Sequence, residues 1–287
     1  MRKPITALLL ALLCLGSTTA CGQDESAAPA EPTNSEAAAP ETVAPEPVEP
    51  DPAELYVNNL PIEAQVAQMF FARCPEVEAA ALAGQYDIGG YILFGRDFEG
   101  QTRESVTETI QSYQDAAATP MLIGVDEEGG TVVRISSNPN FRASKFRSPQ
   151  SLYNEGGFGL ITSDTKEKDA LLASIGVNVN FAPVCDVSTN PNDFMNARAF
   201  GKDASQTSEF VRTVVGQMLA DNTGMVLKHF PGYGNNIDTH TGIATDDRPI
   251  ETFRESDFLP FQAGIAAGAQ SVLVSHNIVT CMDSELP

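Results

Sequence analysis

Basic side chains are scarce in this 287-residue sequence: 17 Lys and Arg stand against 38 Asp and Glu, with only three His. A chain this acidic lacks the positive face that phosphate backbones require, which excludes a nucleic-acid partner. Metal and nucleotide signatures are missing too. No H-E-x-x-H or C-x-x-C occurs, and no G-x-G-x-x-G or Lys-Ser/Thr phosphate loop opens a helix. Neither a metal nor an organic cofactor is therefore expected. Cysteines are few. Beyond Cys14 and Cys21 near the N-terminus, Cys74, Cys185 and Cys281 are far apart and odd in number. No disulfide framework is indicated, and buried free thiols are expected.

Long hydrophobic runs are also lacking. The run "ITALLLALLCLG" (5–16) is short for a membrane span, follows Arg2 and Lys3, and precedes small residues ending "TTACG". That is the layout of a secretory signal. Cysteine followed by glycine at the cleavage point resembles a bacterial lipobox, although Thr18 stands where leucine is usual, so Cys21 is expected to carry lipid. Residues 22–52 are Ala, Pro, Glu and Ser with almost no large apolar side chain, too little to offset chain entropy. The expectation is a signal peptide over 1–21, a disordered tether over 22–52 and a folded domain over 53–287. The protein would be exported and held at the outer face of the cell membrane by its lipid alone.

The folded part alternates apolar runs at 68–73, 89–95, 121–126, 177–184, 225–230 and 271–276 with helix-like stretches at 102–117, 166–175, 205–220 and 258–267. Strands apolar on both faces and separated by helices indicate a parallel sheet covered by helices. Asp126, Asp186, His229 and His276 sit at or just past strand C-termini, the rim on which (β/α)8 barrels and open α/β sheets both build their sites. The missing dinucleotide motif favours the barrel. Six strands are readable where a closed barrel needs eight, so either two strands escape the reading or, as expected here, roughly the last two are missing from this chain.

Chemistry concentrates in "KHFPGYGNNIDTHTG" (228–242). A carboxylate two residues from an imidazole, as in Asp238-x-His240, can fix its tautomer and raise its basicity for general acid/base work. Lys228 and His229 are adjacent at a strand end, so both reach one face only if the strand ends or twists there. Asp126, Arg198, Lys228 and His229 all suit hydrogen bonding to sugar hydroxyls. Glu127 and Glu128 are acids by type, with nothing in their spacing to single them out.

The stretches "VDEEGGTVVR" (125–134), "VNVNFAPVCDV" (177–187), "ARAFGKD" (197–203), "KHFPGYG" (228–234) and "DTH" (238–240) together resemble glycoside hydrolase family 3. The likeness is to its β-N-acetylglucosaminidase, NagZ-type branch, and runs from about residue 60 onward. It implies a (β/α)8 barrel and a retaining exo-enzyme acting on terminal N-acetylglucosamine, including peptidoglycan fragments. It implies sugar contacts from Asp126, Arg198, Lys228 and His229, and an acid/base His240 oriented by Asp238. The family motif usually reads K-H-F-P-G-H-G-D-T, whereas Tyr233, Asn235 and Asn236 stand here in place of the second His and the Asp-Thr pair. The family's aspartate nucleophile belongs to a later strand and is expected beyond this chain; Asp283 lies in the wrong motif. A sugar-binding lipoprotein without catalysis, a β-glucosidase and a phosphorylase are the alternatives.

Overall fold

The computed structural model describes residues 51–239 and 242–287. The expected signal peptide, Cys21 and most of the expected tether lie outside these residues, as does His240. Among the described residues there are nine strands: β1 (Phe71–Arg73), β2 (Gly90–Leu93), β3 (Leu122–Val125), β4 (Val179–Asn180), β5 (Gly224–Met225), β6 (Leu227–Phe230), β7 (Ala244–Asp246), β8 (Val272–Val274) and β9 (Asn277–Val279). The helices are α1 (Pro52–Asn58), α2 (Ile62–Gln68), α3 (Ala79–Tyr86), α4 (Gly95–Phe98), α5 (Arg103–Ala116), α6 (Pro149–Ala173), α7 (Ala204–Ala220), α8 (Ile250–Thr252) and α9 (Phe258–Ala266).

Strands β1 to β5 pair in chain order, all parallel. A bridge from Val184 to Lys228 carries the pairing on to β6, which pairs in parallel with β8. Since β6 continues β5 after one residue, these make six successive barrel positions, the number read from the sequence. Consecutive parallel strands joined by helices make the fold (β/α)8 in type. Among the described residues the arc remains open between β1 and β8, and Val272, Leu273 and Val274 of β8 are exposed. Strands β7 and β9 form a separate parallel pair beyond the strand ends.

Local sequence explains the helices that cover the sheet. In α5, Thr102 and Ser105 form a reciprocal capping box, and Val106, Ile110 and Tyr113 fall on one buried face at the spacing of a helix. Helix α7 starts at an Asp203 cap and buries Phe210, Val211, Val214, Val215 and Met218. The sequence expectation of a helix over 166–175 is corrected, because α6 begins at Pro149 behind a Ser148 cap. The Gly156–Gly157 kink interrupts its hydrophobic pattern and hides the first half. The expected strands shorten as well. Residue 68 closes α2, and the run to 184 pairs regularly only at Val179–Asn180, ahead of Pro183, which has no N–H to donate.

Phe71 and Phe181 meet edge to face at 5.2 Å. Gly124 lets them approach β3: a Cβ there would lie 2.6 Å from the Phe181 ring and 2.7 Å from Phe71. Cys74 and Cys185 are buried free thiols as expected, whereas Cys281 is exposed.

Candidate active site

The ends of β3, β4 and β6 converge on one cleft of about 600 Å³, lined among others by Asp126, Arg134, Arg198, Lys228, His229 and Asp238. That volume suits a small ligand. Asp126 and Glu128 follow β3 at positions i and i+2 of an extended segment, so they face the same way. The Lys228 ammonium sits between them, 2.6 Å from Asp126 Oδ1 and 2.6 Å from Glu128 Oε1. Arg198 closes on the other side of Glu128, donating from Nη2 to Oε1 at 2.7 Å and from Nε to Oε2 at 3.0 Å. This is the two-pronged geometry that a guanidinium and a carboxylate share.

Burial pushes the Glu128 carboxyl up, but the Lys228 ammonium and the Arg198 guanidinium outweigh it and hold the group down at about 2. For Arg198, burial acts against the charged form and is outweighed by the Glu128 contact, so its pKa is raised. Arg134 adds a looser contact, with Nη2 3.6 Å from Asp126 Oδ2.

Lys228 and His229 both reach this cleft because the ladder between β6 and β8 shifts register between Lys228 and Phe230. A bulge of this kind re-aims side chains that strict alternation would set on opposite faces. His229 is held at both ring nitrogens. Nδ1 lies 2.8 Å from Asp186 Oδ2, and Nε2 lies 3.2 Å from Arg198 Nη2. A guanidinium cannot accept a hydrogen bond and an ionised carboxylate cannot donate one. The arrangement therefore requires the tautomer with hydrogen on Nδ1 and a lone pair on Nε2. Asp186 also accepts from the Tyr233 amide at 2.7 Å.

Glu127 is turned away from the cleft. Fully buried, its carboxylate accepts from the Arg134 and Ile135 amides at 2.8 Å each and from the Ser136 hydroxyl. It fixes the chain reversal through Gly129 and Gly130, both at positive φ. A Cβ on Gly129 would come within 2.3 Å of the Arg147 carbonyl. Lys168, paired with Asp164 at 3.1 Å, donates to the Glu128 carbonyl from behind at 3.3 Å.

Asp126, Arg198, Lys228, His229 and Asp238, all singled out in the sequence, thus line a single cleft, together with the strand-end His276. His240, the proposed partner of Asp238, lies outside the described residues. Sequence reasoning passed over Glu128, the residue that joins Lys228 to Arg198. Its signal was the alternation D-E-E after a strand, which sends the first and third acids one way and the second the other. Asp186 was recognised as a strand-end residue but not as the partner of His229, a contact across 43 positions of sequence. Among the described residues no three His, Cys, Asp or Glu side chains are grouped to hold a metal ion.

Residues 61–287 match the family described as glycosyl hydrolase family 3 N terminal domain. A beta-hexosaminidase from Xanthomonas campestris pv. campestris is 35% identical over 196 residues, 67% of this chain and 58% of the relative. Beta-hexosaminidase A from Pseudoalteromonas piscicida is 32% identical over 209 residues, 70% of this chain and 34% of the relative. A solved glycoside hydrolase family 3 β-N-acetylglucosaminidase from Paenibacillus superposes with a TM-score of 0.72 at 25% identity, covering 79% of this chain and 44% of that one. The chain thus spans little more than half the length of the first of these relatives.

Proposed function

The chain belongs to glycosyl hydrolase family 3, and from that premise we propose that the whole protein is an exported, lipid-anchored, retaining exo-β-N-acetylglucosaminidase. The observation that carries the reading is the wall of Asp126, Lys228, Arg198 and His229, tied together by the buried Glu128, on one side of a cleft that Asp238 also lines. A pyranose presents a ring of hydroxyls, each both donor and acceptor. A fixed carboxylate, an ammonium and a guanidinium in one wall supply the acceptors and donors that such a ring needs. The beta-hexosaminidase relatives support N-acetylhexosamine as the terminal sugar. Peptidoglycan fragments as the natural source rest on the family resemblance.

In the proposed reaction an aspartate carboxylate attacks the anomeric carbon as the glycosidic C–O bond breaks, while His240, oriented by Asp238, donates a proton to the leaving oxygen. A water then gives its proton to His240 and its oxygen to the anomeric carbon, and the carboxylate leaves. No residue of this chain is assigned as that nucleophile; the proposal takes it from the length of the relatives that the chain does not span. Lipidation at Cys21 belongs to the same proposal, as does the placement of the domain outside the cell membrane.

The test is hydrolysis by the full-length protein of an aryl N-acetyl-β-glucosaminide beside the matching aryl β-glucoside. Cleavage of the first with retention of anomeric configuration, and little of the second, is expected. Preference for the glucoside would assign the other family activity. Binding of N-acetylglucosamine without cleavage would make the protein a sugar-binding lipoprotein.

A further inference from the structure

Tyr233 stands where the family motif has histidine, and its contacts reach in two directions. Its amide donates to Asp186 Oδ1 at 2.7 Å, on the carboxylate that also holds His229. Its ring is buried and packs edge-on to His229 at 5.7 Å and against Phe194 at 5.8 Å. Its hydroxyl lies 2.7 Å from Thr239 Oγ1 and accepts from the Thr239 amide at 2.8 Å. Through its amide and its side chain, Tyr233 therefore connects the end of β6 to Thr239, the residue between Asp238 and His240 in sequence. The loop is tied at its base by two further bonds. Asn236, at another departure from the family motif, donates to Asp246 Oδ2 at 2.8 Å, and Arg248 donates to the Gly232 carbonyl at 3.0 Å.

We propose that Tyr233 is a positioning residue: its phenol tethers Thr239 and so fixes the approach of the acid/base segment to the cleft. The inference rests on the glycosidase reading for its consequence in catalysis, but the tether itself does not. An imidazole is shorter than a phenol and carries no hydroxyl, so the exchange of histidine for tyrosine lengthens the reach from Asp186 to the loop. A phenol has both a donor and an acceptor function, so its one oxygen can accept from the Thr239 amide and also share a hydrogen bond with the Thr239 hydroxyl. A tyrosine serving only as core filling would need its ring and not its oxygen.

The experiment compares the full-length protein with Tyr233→Phe, which keeps the ring and deletes the oxygen. The first readout is amide hydrogen exchange at Thr239. It is expected to accelerate about tenfold, the equivalent of one neutral hydrogen bond, while amides of β3 and α7 stay unchanged. The second is kcat/KM for N-acetyl-β-glucosaminides with a poor alkyl and an activated aryl leaving group. The alkyl substrate, which needs protonation, should lose about tenfold and the aryl substrate less than about twofold.

Thr239→Val deletes the hydroxyl contact and keeps the amide bond, so it should give smaller effects in the same direction, and the double variant should be no worse than Tyr233→Phe alone. Unchanged exchange at Thr239 would overturn the tether. Faster exchange with equal losses on both substrates, or with none, would overturn the positioning role. A wild-type protein that cleaves neither glycoside would refute the glycosidase reading, and the exchange comparison would still decide the tether.

Discussion

Glu128→Gln preserves the shape of the side chain and removes its charge, at the point where Lys228 and Arg198 meet. The carboxyl is held at about 2 against an ordinary 4.5. At about 1.4 kcal/mol per pH unit that gap corresponds to about 3 kcal/mol of charge stabilisation. Breaking a buried ion pair from one side costs about 3–5 kcal/mol, and the charge stabilisation lies near the lower end of that range. The sign of the pH dependence follows from the depressed value. Between about 2 and 4.5 the unfolded chain binds more protons at this position than the native one. The contribution is complete above pH 4.5 and fades as pH falls toward 2. A protonated Glu128 resembles Gln, so the two proteins should converge in acid. Urea unfolding of the full-length protein, followed by circular dichroism at pH 7, 4 and 3, measures this. The expected gap is about 3 kcal/mol at pH 7, shrinking at each acidic step. A gap under about 1 kcal/mol at pH 7, or one that does not change with pH, would refute the assignment of Glu128 as the charged centre of the cluster.

Three other outcomes are expected. His240→Ala in the full-length protein should lower kcat/KM by about 10²–10⁴-fold for glycosides with poor leaving groups and far less for activated aryl ones; equal losses would remove His240 from the acid role. Asp126→Asn should raise KM for the N-acetylglucosaminide and reduce kcat/KM by at least about tenfold, the loss of a charged hydrogen bond to substrate; an unchanged kcat/KM would end its assignment as a sugar contact. Asp169, buried in α6, is pushed up to about 7, by burial first and by the Asp221 charge second. Its native state binds the extra proton, so its contribution to stability falls as pH rises from about 4 to 7. Asp169→Asn should remove a pH-dependent loss on the order of 3–4 kcal/mol across that window; identical pH–stability curves for the two proteins would contradict it.

Much of this was legible without coordinates, because it depends on short-range pattern. The six apolar runs mark the six barrel positions, since a strand covered on both faces must be apolar on both. The strand ends were legible as well, because a charged or polar residue closing such a run has no use in a core. What blurred the boundaries was also local: the Gly156–Gly157 kink concealed half of α6, and Pro183 ended a ladder that its apolar neighbours seemed to continue.

The sequence by itself determined the fold type, the family motifs and the residue types gathered at the rim, for these are set by periodicity and by the order of motifs along one chain. Only the tertiary structure decided which charges meet. Glu128 holds Arg198 across 70 positions of sequence and Asp186 holds His229 across 43. The alternation of a lone D-E-E does not say which acid will find a cation. The same holds for Tyr233, which in sequence is a departure from a motif and in space is the link between a strand end and a loop. Ion pairing and hydrogen bonding fall off within a few ångströms. Folding, rather than proximity along the chain, brings those groups within range.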